Sequence, residues 1–382
     1  MKIVRIDAYY VGFAPEPALG NASLFIRRRD FMLVAIQAAD GTTGWGEVFA
    51  SPYAAGAFLK NNLASIILGQ PAHNIGRIWH EMVAKLGYDR RGAAMMAVSA
   101  VDMALHDLVA RLQGIGVAEL LGGAMRQQIP AYASGPFLVE GPDPYEAYPT
   151  KVEALLHRGF RAIKPRAGVT PQADGGMVSR LRDVMGPEPA LMVDINQGYT
   201  AAAAIDSARR MEAAGLLWIE EPVQPEDIPG YQAVARAAPC AIAGGEALAS
   251  LAAFRDFLQA GAFSVLQPDL TVCGGFTGFR KITALAEAFG VPIMPHVFGT
   301  IVNFAAALQA AAVLPPRKGG GPFAYPFIEY DVTPNPLLAL LGEPRLGADG
   351  TVAVPDTPGL GISLSPERLS PWLSDHWHVA LD

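Results

Sequence analysis

RAIKPR (161–166), LMVDIN (191–196), LLWIEEP (216–222), AIAGGE (241–246), SVLQPD (264–269), VPIMPH (291–296) and PFIEY (326–330) form a ladder along the second half of the chain. Each is a short apolar run ending in a polar or charged side chain: Lys164 and Arg166, Asp194 and Asn196, Glu220, Glu246, Asp269, His296 and Glu329. They recur at roughly 25–35 residues, about what one strand, one loop and one helix consume in a (β/α)8 barrel. With AYASGPF (131–137) as the first strand, the set completes such a barrel. Functional groups in this fold sit at the C-terminal ends of the strands, so these side chains would meet at one mouth.

The remainder of the 382 residues leaves room for a second unit. Segments 3–11, 31–38 and 43–48 alternate like antiparallel strands, with Asp40-Gly41 as a turn. Helical periodicity follows at 54–68, 75–86 and 93–112, and Gly122-Gly123 is a stop. The expected organisation is an α/β chain: an α+β capping domain (1–125), a barrel domain of the (β/α)8 type (126–335), and a C-terminal segment (336–382) returning to the cap. Strand candidates in that tail are 351–355 and 359–364. Loops 13–29, with Asn21, Ser23 and Arg27 to Arg29, and 50–56, with Ser51 and Tyr53, interrupt the cap. The arginine triplet by itself reads as a solvated edge. His106 and Asp107 read as structural polar groups, because no partner stands at ligand spacing.

A hydrophobic content of 51% against 17% charged residues implies a large buried core. The net charge of -7 and pI near 5.5 supply no basic patch for nucleic acid or anionic lipid. Cys240 and Cys273 form neither a CxxC pair nor a disulfide framework, which fits a reducing compartment. The first residues, MKIVRIDAYYVGF, alternate like a strand and lack the apolar core of a signal peptide. Asp102, His106 and Asp107 interrupt the most apolar helix and argue against a membrane span. A cytoplasmic protein acting on small molecules is expected.

Asp194, Glu220 and Glu246 close consecutive strands, and such converging carboxylates repel unless a cation neutralises them. All-oxygen donors favour Mg2+ and admit Mn2+. Asp269 and His296 close the next two strands, where a carboxylate on one ring nitrogen makes the other a better base. Lys164 and Arg166, at i and i+2, share one side of their strand. Lys164 could touch a substrate carboxylate, or act as a base if its pKa fell. Arg166 stays protonated and can only bind or stabilise negative charge. Glu329, if protonated, could donate to a developing anion. These parts suit removal of a proton α to a carboxylate.

The chain resembles the enolase superfamily, specifically its mandelate racemase subgroup, through GWGE (44–47), SAVDMALHD (99–107), KPR, VDIN, WIEEP, AGGE, LQPDLTVCGG, MPHVFGT and FIEYD. The resemblance implies a cap built from both termini over a modified TIM barrel. It also implies Mg2+ on Asp194, Glu220 and Glu246, an Asp269–His296 dyad, Glu329 as an electrophilic group, and a homo-oligomer. Substrate choice would fall to the cap loops, with Arg29 and Tyr53, and to Asn196 at the mouth. Within the subgroup the chain looks most like acid-sugar dehydratases and the galactarolactone and anhydrogalactonate cycloisomerases. One departure matters: the usual Lys-x-Lys is Lys164-Pro165-Arg166 here. Two-base racemisation is thereby disfavoured. The expected reaction is β-elimination from an acid-sugar carboxylate, with lactone cycloisomerisation and 2-hydroxy-acid epimerisation as alternatives. A catalytically silent binder of carbohydrate acids is the contrasting class.

Overall fold

The structure, a computed structural model, describes residues 1–319 and 323–381. The cap is a four-stranded antiparallel sheet in the order Leu373–Ala380, Ile3–Phe13, Arg29–Ala38, Thr43–Val48. Alternation splits the first strand: Ile6, Ala8 and Tyr10 pack with the cap helices, while Tyr9, Val11 and Phe13 join the core shared with the barrel. The glycines of GWGE let helix Ala93–Gln113 lie directly on the sheet. A Cβ on Gly46 would run into the Ala100 carbonyl. That helix is long and apolar enough to cross a membrane by length and composition alone, but here it is mostly buried within the protein. Its polar residues do structural work. His106 Nδ1 is 2.8 Å from the Asp102 carbonyl, and Asp107 accepts the Trp45 and Leu360 N–H groups at 2.8 and 2.7 Å.

The barrel strands run parallel from Gln128–Ser134 through Ala162–Lys164, Ala190–Leu191 with Val193–Asp194, Trp218–Glu220, Ala241–Gly244 and Val265–Leu266. Ile328–Asp331 pairs back onto the first strand, with Glu329 opposite Tyr132. The seventh position contributes one bridge, Ile293 to Leu266, and among the described residues it makes no ladder with Ile328–Asp331. Pro292, Pro295 and Pro326 explain the gap, because none can donate a ladder hydrogen bond.

The tail reaches both units. Thr351–Ala353 pairs antiparallel with the start of the first barrel strand, not with the cap. Segment 359–364 forms no strand, although the Gly359 carbonyl accepts the Val117 N–H at 2.9 Å. The cap is reached by Leu373–Ala380, which the sequence pattern had not flagged. It is a polar edge strand in which only Trp377 and Val379 are half-buried.

Candidate active site

Strand ends place Asp194, Glu220 and Glu246 side by side, with one carboxylate oxygen from each within 4.8 Å of the others. Glu220 is fixed from behind: Trp218 Nε1 and Gln267 Nε2 donate to its Oε2 at 2.9 and 2.5 Å. Burial pushes the Glu220 carboxyl up to about 7, with Lys164 opposing and Asp194, Glu329 and Glu246 reinforcing the rise. Glu246 is also raised, by burial first, with His296 opposing. Three crowded, partly dehydrated carboxylates are the electrostatic signature of a hard-cation site, and the all-oxygen donor set fits Mg2+. Asn196, Gln197 and Glu221, which follow these ligands, have φ values of 46, 66 and 41°. Left-handed φ at such residues costs about 1–3 kcal/mol each, so strain is concentrated where the mouth must be shaped.

Lys164 is fully buried among acids, reaching Glu220, Glu329 Oε1 at 2.9 Å and Asp194 Oδ2 at 3.7 Å. Burial opposes its charge, but these three carboxylates raise its pKa overall. These surroundings favour its charged form, the setting of an electrostatic group. Arg166 is bound to Asp194 through Nη1, and its guanidinium carbon stands 4.5 Å from the Phe137 ring centroid. Its Nε is buried without a partner. Glu329 accepts rather than donates: Ser134 Oγ reaches Oε1 at 2.7 Å and the Val297 N–H reaches Oε2 at 3.1 Å. Burial works against its charge, but Lys164, His296 and Arg166 hold the carboxyl well below the usual range.

His296 faces the same pocket. Its Nδ1 is 2.7 Å from Asp269 Oδ2, and its Nε2 is 3.3 Å from Glu246 and 4.0 Å from Glu329. Asp269 Oδ1 is occupied by the Thr271 N–H and hydroxyl, both at 2.7 Å, so the dyad cannot rotate freely. Burial disfavours the imidazolium, yet Glu246, Glu329 and Asp269 outweigh it and push His296 up to about 10. A cation on the triad would oppose that rise by neutralising Glu246.

The expected substrate contacts divide. Asn196 stays at the mouth: its N–H donates to Asp194 Oδ1 at 2.8 Å, Ser23 Oγ donates to its carbonyl at 2.9 Å, and its buried Oδ1 has no partner. Arg29 turns into the protein interior. It is buried against Asp331 (Nη1 to Oδ2, 2.8 Å), donates to the Phe298 carbonyl at 2.9 Å and lies over the Phe298 ring at 3.8 Å. Tyr53 is exposed on the cap. It stacks on Tyr10 at 4.8 Å, on the sheet face that packs with the cap helices, and reaches Ser374 Oγ at 3.4 Å. The sequence reading missed Ser134, Gln267, Thr271 and Asn303. Ser134 pairs in register with Lys164, so its place at a strand end was an available signal.

Glu47 of GWGE was also missed. It is fully buried at the start of helix Ile301–Ala312, accepting Thr300 N–H, Thr300 Oγ and Asn303 N–H at 2.9, 2.6 and 2.9 Å. This cap carboxylate anchors the loop that carries His296.

Residues 19–122 match the family model described as mandelate racemase / muconate lactonizing enzyme, N-terminal domain, and residues 147–368 match enolase C-terminal domain-like. The chain belongs to the enolase superfamily. This superfamily member is 35% identical over 372 residues to the D-galactarolactone cycloisomerase of Agrobacterium fabrum, across 97% of this chain and 98% of that protein. It is 30% identical to the D-gluconate dehydratase of Thermoproteus tenax over 358 residues, 90% of this chain and 70% of the relative. Among solved structures, a racemase from Streptomyces coelicolor A3(2) with bound magnesium superposes with a TM-score of 0.87 at 31% identity, covering 97% of this chain and 100% of that one. The enolase-superfamily chain is thus an enzyme of the mandelate racemase type with Mg2+ as its cofactor.

Proposed function

We propose that the enzyme removes the proton α to the carboxylate of an acid sugar and then expels the β-oxygen, acting as an acid-sugar dehydratase. Asp194, Glu220 and Glu246 would hold Mg2+. When bound, the ion supplies positive charge that stabilises the substrate carboxylate as negative charge develops on its oxygens. Lys164, locked among acids, adds a fixed cation beside it. His296 takes the α-proton through Nε2, while Asp269 fixes the tautomer and stabilises the imidazolium. The electron pair becomes the C2–C3 double bond as the C3–O bond breaks. The imidazolium returns its proton to the departing oxygen, and the enol tautomerises to a 2-keto acid.

The observation carrying this reading is the asymmetry of the pocket. A histidine backed by a carboxylate faces the metal triad, and the neighbouring base position holds an arginine already bound to Asp194. One acid–base group suits elimination better than two-base racemisation. The 35% identity to a lactone cycloisomerase supports a second reading, in which the leaving group is a ring oxygen and the first step is unchanged. Aldonates, aldarates and their lactones, incubated with enzyme and Mg2+ and assayed for 2-keto acid and for lactone opening, separate the two. Silence across the panel counts against both.

A further inference from the structure

Away from the barrel mouth, Asp7, His376 and His378 form another cluster of ligating side chains. Asp7 on Ile3–Phe13 stands directly opposite His378 on Leu373–Ala380, and His376 lies two residues back on the same face. One ligating atom from each lies within 4.8 Å of the others. The Asp7 carboxylate is buried, and His376 Nε2 is 3.0 Å from its Oδ1. Ligands at about 2.0–2.2 Å from one ion, at tetrahedral or octahedral angles, stand roughly 3–3.5 Å apart. The histidine–aspartate pair therefore already has the separation of neighbouring ligands. The His376 ring stacks on Tyr9 at 4.5 Å and the His378 ring stacks on His376 at 6.0 Å, which keeps both imidazoles on one face.

Arg5 grips the same carboxylate through Nε at 2.7 Å and Nη2 at 2.8 Å. Its side chain is 35% exposed, so the guanidinium can turn toward solvent as a cation enters. We propose that Asp7, His376 and His378 form a cation site separate from the Mg2+ centre, suited to a borderline first-row dication such as Zn2+. Two imidazoles and a carboxylate are donors that Zn2+ accepts, whereas Mg2+ demands oxygen. An ion there would tie the polar C-terminal strand to the first strand of the cap.

The test uses the tag-free full chain in excess Mg2+, titrated with Zn2+ and followed by calorimetry and thermal unfolding. Wild type is expected to take up one Zn2+ equivalent more than the H376A/H378A double variant, and to unfold at a higher temperature with Zn2+. The double variant should turn over normally and show no such shift, and D7N should bind Zn2+ at least tenfold more weakly than wild type. Equal uptake by wild type and the double variant, including none by either, overturns the proposal.

Discussion

Asp269 presents one carboxylate oxygen to His296 Nδ1 at 2.7 Å, while its other oxygen is held by Thr271 through two hydrogen bonds of the same length. The imidazole is thus oriented by a group that is itself immobilised. In D269N an amide replaces the acceptor that fixes the tautomer. Turnover should fall on the order of 10²–10⁴-fold with KM little changed. Steady-state kinetics at saturating Mg2+ reads this, and a variant limited only in KM contradicts it.

The crowded triad makes a second prediction. Ligand binding to the folded state alone stabilises by about 2.7 kcal/mol at a hundredfold excess over Kd. Mg2+ should therefore raise the wild-type unfolding temperature, and EDTA should abolish both the shift and turnover. D194N and E246Q should lose the shift, because each removes a charged donor from the proposed ligand set. Thermal unfolding across a Mg2+ titration decides the point.

Arg29 can be assigned by experiment to structure or to substrate binding. Removing one partner of a buried ion pair leaves the other charge uncompensated, at a cost of about 3–5 kcal/mol. R29A should lose that stability in urea unfolding because Asp331 is stranded, whereas KM for an accepted substrate should stay close to wild type. A large KM effect with unchanged stability would restore Arg29 as a substrate ligand.

Glu47 carries a pH signature. Burial raises its carboxyl from 4.5 to about 7, despite the donors from Thr300 and Asn303. Between those values the folded state binds more protons than the unfolded one, so this group's contribution to stability is most favourable below pH 4.5 and falls as pH rises toward 7. E47Q should flatten that slope. Urea midpoints across this pH range give the answer.

The site acids were legible because a strand end is a local feature and the β/α period sets which face of the barrel it reaches. Long-range partners were not. In the arginine triplet, Arg27 pairs with Glu140 at the surface and Arg28 with Asp30, while Arg29 turns inward to Asp331, 302 positions away. Nothing in the three adjacent residues says which one the fold will bury. Glu47 was hidden for the same reason, since its partner Thr300 lies 253 positions away. Leu373–Ala380 escaped notice because an edge strand needs little apolar alternation when its backbone has a partner.

The most direct test is proton NMR of an acid-sugar panel in D2O with Mg2+, comparing wild type with H296N. The account predicts that wild type consumes the α-proton and yields a 2-keto acid carrying solvent deuterium at C3, while H296N, with its metal triad intact, does neither. Undiminished α-proton loss in H296N, or no reaction of any acid sugar with wild type, would contradict it.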